Sequence, residues 1–209
     1  MTSPTRVFLA SRNAKKLVEM RRILLEYVPD LEVLGLDDVP AYDEPAETEP
    51  TFEGNASIKA RAGVLATGLP ALADDSGLCV DALNGMPGVL SARWAGTAKD
   101  DAANNHLLLE QLADVPDERR GASFRCAVVL AYPVGAGGVA DTVGQGEMRG
   151  RVIREMRGSG GFGYDVLFVP EGHEQTSAEL PADEKDAISH RGRAIRSLAP
   201  VVADVLEGL

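Results

Sequence analysis

The sequence predicts an α/β domain built on a mixed sheet, and three patterns carry that reading. Short apolar runs alternate with stretches of helical period. One long strand-like run, Phe124 to Tyr132, is turned back by Gly135 to Gly138 into a second, Val139 to Met148, which is a hairpin pattern. Glycine, proline and asparagine stand at the joints between these segments, where a change of chain direction needs them.

Arg6 to Ala10 is a short apolar run expected to form a buried strand. Ser11, Arg12 and Asn13 make a polar turn, in which the Asn13 side chain can accept a free N–H of a following helix. From Lys15 the period turns helical: Leu17, Met20, Leu24, Tyr27 and Val28 share one stripe, and Pro29 closes it. Leu31 to Leu36 reads as a second strand. Asp37 to Glu53 is irregular and acidic, without a Lys or Arg.

A helix from Thr51 to Thr67 would bury Ile58, Ala62 and Leu65 and stop at Gly68. Pro70 to Ala73 and Leu78 to Val80 read as short strands on either side of Asp74, Asp75, Ser76 and Gly77, with Ser76 and Gly77 suggesting a turn. Asn84 to Gly88 is a turn and Asp101 to Leu112 a helix. Gly158 to Gly163 is a glycine-rich loop leading into a strand at Val166 to Val169. The last helix starts at Ser189 and buries Ile195, Leu198, Val202, Val205 and Leu206, with Pro200 expected to kink or divide it. Residues 1–209 suffice for a single domain with a sizeable core.

Composition removes several functions. A net charge of −11 is unsuited to coating nucleic acid, which needs clustered Lys and Arg. Cys79 and Cys126 each lie in an apolar run and read as buried, reduced thiols. The start lacks the apolar stretch of a signal peptide, and no run approaches the ~20 apolar residues that span a bilayer. The expectation is a cytoplasmic protein with neither a nucleic-acid nor a membrane partner. There is no Gly-Lys pair for a phosphate-binding P-loop, no HExxH and no GxSxG. Gly158, Gly160 and Gly163 spell GxGxxG, but a strand follows where a dinucleotide fingerprint requires a helix. Those glycines either let the backbone approach a ligand or form a plain turn.

Two helix starts carry the wrong charge. Helix N-termini favour acidic neighbours, yet the first helix opens with Arg12, Lys15 and Lys16 and the last with His190, Arg191 and Arg193. One such start reads equally well as solvated surface charge; two in an acidic chain favour a polyphosphate site. Asp74 and Asp75 supply hard oxygen donors suited to Mg²⁺ or Mn²⁺, with Glu47 a candidate additional ligand. On an extended strand the two aspartates point to opposite faces, so they share an ion only if the chain turns there. Thr51, Asn55 and Lys59 form a polar strip at i, i+4 and i+8. Lys59 reads either as a phosphate contact or as a surface lysine, and Phe162 and Tyr164 as base-stacking or as core aromatics.

Taken together, these segments resemble the inosine triphosphate pyrophosphatase family. The matching stretches are Ser11 to Lys16; Glu47 to Phe52 with Asn55 and Lys59; Ala73 to Leu78; Pro87 to Arg93; Gly160 to Asp165; and Glu184 to Gly192. They span nearly the whole chain in order, and the ordered set is far more specific than any single motif. The resemblance implies a long mixed sheet flanked by helices, two lobes around a central cleft, and a homodimer. It implies magnesium-dependent hydrolysis of ITP, dITP and XTP to the monophosphate and pyrophosphate, with Mn²⁺ as a possible substitute. It assigns the triphosphate to Ser11, Arg12, Asn13, Ala14, Lys15 and Lys16, the metal to Glu47 and Asp75, and the general base to Asp75, with Ser76 touching substrate. Phe162, Gly163, Tyr164, Asp165, Lys185, His190 and Arg191 would complete the nucleotide pocket. Val166 stands where the family commonly has proline, and Gly135 to Gly138 makes its own hairpin tip.

Overall fold

Period-two alternation along the strands organises the molecule. The structure, a computed structural model, describes residues 5–207, apart from the side chains of Ala14, Lys15, Ala136 and Glu207. In chain order the elements are β1 (Arg6–Leu9), α1 (Ala14–Tyr27), β2 (Glu32–Leu34), α2 (Phe52–Thr67), β3 (Ala71–Val80), α3 (Asp101–Gln111), β4 (Gly121–Val134), β5 (Gly138–Val152), β6 (Phe168–Pro170), α4 (Ala182–Ile188) and α5 (His190–Glu207). The strands form one six-stranded sheet in the order β2-β1-β3-β4-β5-β6. It is mixed, as expected: β1 pairs in parallel with β2 and β3, and β5 pairs antiparallel with β6.

Two compact units emerge. The first takes in the chain up to Asp75, Cys126–Gly146 and the chain from Arg191; the second comprises Ser76–Arg125 and Glu147–His190. Within the first unit, side-chain alternation divides the apolar residues between two cores. Val7, Leu9, Leu72, Val128 and Leu130 pack with Met20, Ile23 and Leu24 of α1 and Ile195, Leu198 and Val202 of α5. Phe8, Ala71, Ala73, Val129 and Ala131 pack with Ala56, Ala60 and Val64 of α2. In the second unit Leu78, Val80, Phe124, Met148 and Phe168 share one core with Leu108 and Leu112. There the buried Arg120 donates to the carbonyls of Leu112 and Val152, satisfying groups that the end of α3 and of β5 leave open.

The helix ends follow the sequence signals. The Lys16 N–H donates to Asn13 Oδ1 at 3.2 Å, the cap expected of Asn13. Thr51 caps α2 by accepting from the Gly54 N–H, and Gly68 ends it in the left-handed conformation at φ 71°. Both cysteines are buried and free. Among the described residues no helix is long and apolar enough to cross a membrane.

Several expectations are corrected. β3 runs unbroken through Asp74, Asp75, Ser76 and Gly77. Gly77 is there for space: a Cβ would stand 2.3 Å from the Gly88 carbonyl oxygen and 2.4 Å from Ser91 Oγ. The packed face of α2 carries Asn55, Ala56, Ala60, Gly63 and Val64, whereas Ile58 and Ala62 are only half-buried and Leu65 is exposed. Close approach to the sheet selects small residues here, since a Cβ on Gly63 would meet Phe8 and Ala71 at 3.0 Å. Tyr27 is likewise exposed rather than part of the α1 stripe. α4 went unforeseen because it has no apolar stripe, although Pro181 before Asp183 and Glu184 is a helix-start signal. α5 continues undivided past Pro200.

Candidate active site

Strand alternation sends Asp74 and Asp75 to different sides of β3. Asp74 shares a face with Leu72, the face covered by α1 and α5; Asp75 shares one with Ala71 and Ala73, the face covered by α2. Both carboxylates are buried.

Asp74 is surrounded by cations. Its Oδ2 lies 2.9 Å from Lys16 Nζ and 3.3 Å from Arg191 Nε. Arg191 is almost wholly buried, and its Nη1 also meets Glu19 Oε2 at 2.5 Å. Burial alone would raise the Asp74 pKa, but Lys16, Arg191 and Lys59 outweigh it and hold the carboxyl far below its usual range. Burial works against the Arg191 charge too, and Asp74 and Glu19 more than restore it. Of the cations that open α1 and α5, Lys16 and Arg191 have internal counter-ions through this network, and Arg12 pairs with Glu44 at 2.5 Å.

Asp75 meets a different environment. The Asn55 Nδ2 donates to its Oδ2 at 3.1 Å, and the same Asn55 accepts the Glu49 N–H at 2.9 Å. Lys59 Nζ donates to Glu47 Oε1 and to the Asp74 carbonyl, each at 2.7 Å. Burial pushes the Asp75 pKa up; Lys59 opposes it, and the Glu47 charge adds to it, leaving the group at about 6. Lys59 is thus no ordinary surface lysine but a tether between the acidic segment and the strand. Ser11 accepts the Asn13 N–H at 3.3 Å, and Ser76 is half-buried in β3. The Ala14 and Lys15 side chains lie outside the described residues.

In the second unit the glycine-rich loop approaches its own chain. The Gly160 N–H donates to the Ala178 carbonyl at 2.9 Å, and a Cβ on Gly158, at φ 84°, would stand 2.8 Å from the Ala178 backbone. Asp165 accepts the Phe162 N–H at 2.8 Å and pairs with Lys185 Nζ at 2.6 Å, while that ammonium lies 5.6 Å from the centre of the half-buried Phe162 ring. Tyr164 is buried in the core and donates its hydroxyl to the Ser91 carbonyl at 2.9 Å, so of the two loop aromatics it follows the packing alternative. His190 is buried too, its ring stacked on Phe124 with centroids 4.9 Å apart.

The structure thus gathers Lys16, Glu47, Asn55, Lys59, Asp74, Asp75 and Arg191 within the first unit, and Phe162, Gly163, Asp165 and Lys185 within the second. Glu19 escaped the sequence reading, because its partner Arg191 is 172 residues away and no local pattern marks the pair.

The sequence model of the Ham1 family matches residues 7–201. The chain belongs to the Ham1 family. A relative from Nocardia farcinica, named dITP/XTP pyrophosphatase, is 62% identical over 199 residues, covering 95% of either chain. Another of that name, from Streptomyces coelicolor, is 52% identical and covers 97% of this chain and 99% of its own. The crystal structure of the Mycobacterium abscessus nucleoside-triphosphatase, also called dITP/XTP pyrophosphatase, is similar at 54% identity and a TM-score of 0.74, over 93% of this chain and 99% of that one. A Coxiella burnetii HAM1 protein matches at 42% identity and a TM-score of 0.83, over 95% and 98%. The family resemblance read from the ordered motifs is borne out, as is the mixed-sheet α/β fold.

Proposed function

We propose that this chain is a magnesium-dependent pyrophosphatase that cleaves ITP, dITP and XTP between the α and β phosphates, releasing the monophosphate and pyrophosphate and clearing deaminated purines from the nucleotide pool. The observation that carries the reading is Asp75, a buried carboxylate with a pKa raised to about 6, oriented by Asn55 and set beside Glu47 and Lys59. The shared name dITP/XTP pyrophosphatase among relatives at 62% and 52% identity supports the substrate class.

The donor chemistry fits magnesium. Glu47 and Asp75 are hard oxygen donors whose charges repel, as the upward pull of Glu47 on Asp75 records. No group of three or more His, Cys, Asp or Glu side chains is placed to cage a metal among the described residues. Two carboxylates completed by waters and phosphate oxygens is how Mg²⁺ is commonly held. Glu47 and Asp75 are its proposed ligands; Asp74, already neutralised by Lys16 and Arg191, organises the cations. When bound, the metal would supply charge neutralisation on the phosphate oxygens.

The remaining chemistry belongs to the side chains. Above its pKa the Asp75 carboxylate accepts the proton of the attacking water, and Asn55 keeps it aimed. Lys59 holds Glu47 in place. Ser11 to Lys16 take the triphosphate, with Lys16 exchanging part of its hold on Asp74 for phosphate. Ser76 touches substrate. Phe162 stacks on the base, and Gly163, Tyr164, Asp165, Lys185 and His190 shape its surroundings. Arg191 acts through Asp74. The working form is a cytoplasmic homodimer.

A donor-rich edge pairs with the 6-oxo group of hypoxanthine or xanthine and leaves the adenine amino group facing other donors, so buried groups go unpaired. Kinetics on ITP, dITP, XTP, GTP and ATP, with pyrophosphate and orthophosphate both assayed, test the proposal. The expected result is pyrophosphate as the first product, loss of turnover with EDTA, and kcat/KM for ITP and XTP about 10²-fold above ATP, with weaker rejection of GTP. Equal efficiency on ATP, orthophosphate as first product, or full activity in EDTA would overturn it.

A further inference from the structure

The backbone around Phe162 is fixed by the side chain of Asp165 and by two side chains of α3. Two peptide planes flank its Cα. The first is held by the Phe162 N–H donating to Asp165 Oδ2 at 2.8 Å. The second is held from α3: the Gly163 N–H donates to Asp101 Oδ2 at 2.8 Å. The next carbonyl is fixed as well, since Asn105 Nδ2 donates to the Gly163 oxygen at 2.9 Å. Asn105 is one turn beyond Asp101, is buried, and donates from the same Nδ2 to the Asp101 carbonyl at 2.8 Å. Asp100 caps α3 by accepting from the N–H groups of Ala102 and Ala103, so the platform bearing Asp101 and Asn105 is itself anchored. Gly163 has φ 61°, a left-handed conformation that glycine adopts without the strain a side chain would bring.

We infer that Asp101 and Asn105 are positioning residues for base recognition: they clamp Gly163 by both its N–H and its carbonyl, and so preset the direction of the Phe162 ring. The inference rests on the proposed stacking role of Phe162. A backbone fixed on both sides leaves that ring only its own two side-chain torsions to settle on binding, which lowers the ordering that the base must bring about. Stacking acts on the substrate and the transition state alike. Removing the clamp therefore raises KM and leaves kcat nearly unchanged.

Four variants test this, with thermal unfolding recorded on each and steady-state kinetics on ITP: Asp101→Ala, Asp101→Asn, Phe162→Ala and the Asp101→Ala/Phe162→Ala double variant. Asp101 is exposed at the first turn of its helix, so its loss leaves the fold intact. Asp101→Ala is expected to raise KM about tenfold, the scale of one charge-assisted hydrogen bond, with kcat within about twofold. Asp101→Asn restores most of the affinity, because an amide oxygen still accepts the Gly163 N–H. Phe162→Ala raises KM at least as much, and adding Asp101→Ala to it has no further effect. An unchanged KM in Phe162→Ala overturns the stacking reading and this inference together. A raised KM in Phe162→Ala with an unchanged KM in Asp101→Ala overturns the inference alone, as do additive effects in the double variant or equal falls in kcat and stability.

Discussion

Asp74 and Asp75 leave one strand a single residue apart, and the two sides of β3 give them opposite chemistry. On the side of α1 and α5, Asp74 meets Lys16 and Arg191, and with Lys59 also pulling on it, its proton is driven off. On the side of α2, burial and the Glu47 carboxylate outweigh Lys59, Lys16 and the Asn55 amide, and Asp75 holds its proton up to about pH 6. The same residue type with nearly the same burial thus becomes a fixed counter-ion in one case and a proton acceptor near neutrality in the other. The difference lies in the sign of the neighbours, and strand alternation is what separates the neighbours.

Breaking the Asp74 side is expected to have the largest effect, on stability. Asp74→Asn takes the carboxylate away from the buried Arg191 and the half-buried Lys16, and removing one partner of such a network costs about 3 kcal/mol or more. Urea unfolding at pH 7 reads this directly; a loss below about 0.5 kcal/mol, the scale of an ordinary surface change, would show the network to be dispensable. The sign with pH is set by the depressed pKa: Asp74 contributes its stability above the ordinary aspartate range and loses it as pH falls through its lower, folded-state value.

Asp75→Asn should act in the opposite sense. Turnover of ITP falls about 10²-fold or more, as when a general base is removed. Stability at pH 7 rises, because a carboxylate whose folded pKa is raised to about 6 penalises the native state. That penalty grows as pH rises from the ordinary aspartate value through the folded one and is complete above it. Its size is at most about 3 kcal/mol. Pyrophosphate release and urea unfolding on one preparation check both halves. Near-normal turnover would remove Asp75 from the chemistry, and a destabilised variant would contradict its strained environment.

The sequence reveals one side of this comparison better than the other. The alternation that parts the two aspartates follows from any extended strand, and Asn55 and Lys59 already stand on one helical strip with Glu47 close by in the chain. Lys16, Asp74 and Arg191 each sit in a legible motif. What joins them is the packing of α1 and α5 on one sheet face, which no local pattern encodes, and for that reason their cations read as awaiting an external anion. Glu19, Asp101 and Asn105 were illegible for a related cause: each works through a contact distant in sequence. The α2 face misled in a different way. Counting large apolar residues favours Leu65, but the close approach of Gly63 to Phe8 and Ala71 shows that space, not hydrophobicity, selected that face.

The contrast itself can be measured in the protein without metal or substrate, by following the ¹³C carboxyl resonances of Asp74 and Asp75 against pH, with Asp75→Asn used for assignment. The Asp75 resonance should titrate with a midpoint near 6, while Asp74 stays ionised well below the ordinary aspartate value of about 3.9. Two resonances titrating together in the ordinary range, or Asp74 taking its proton at a higher pH than Asp75, would contradict the division of labour across β3.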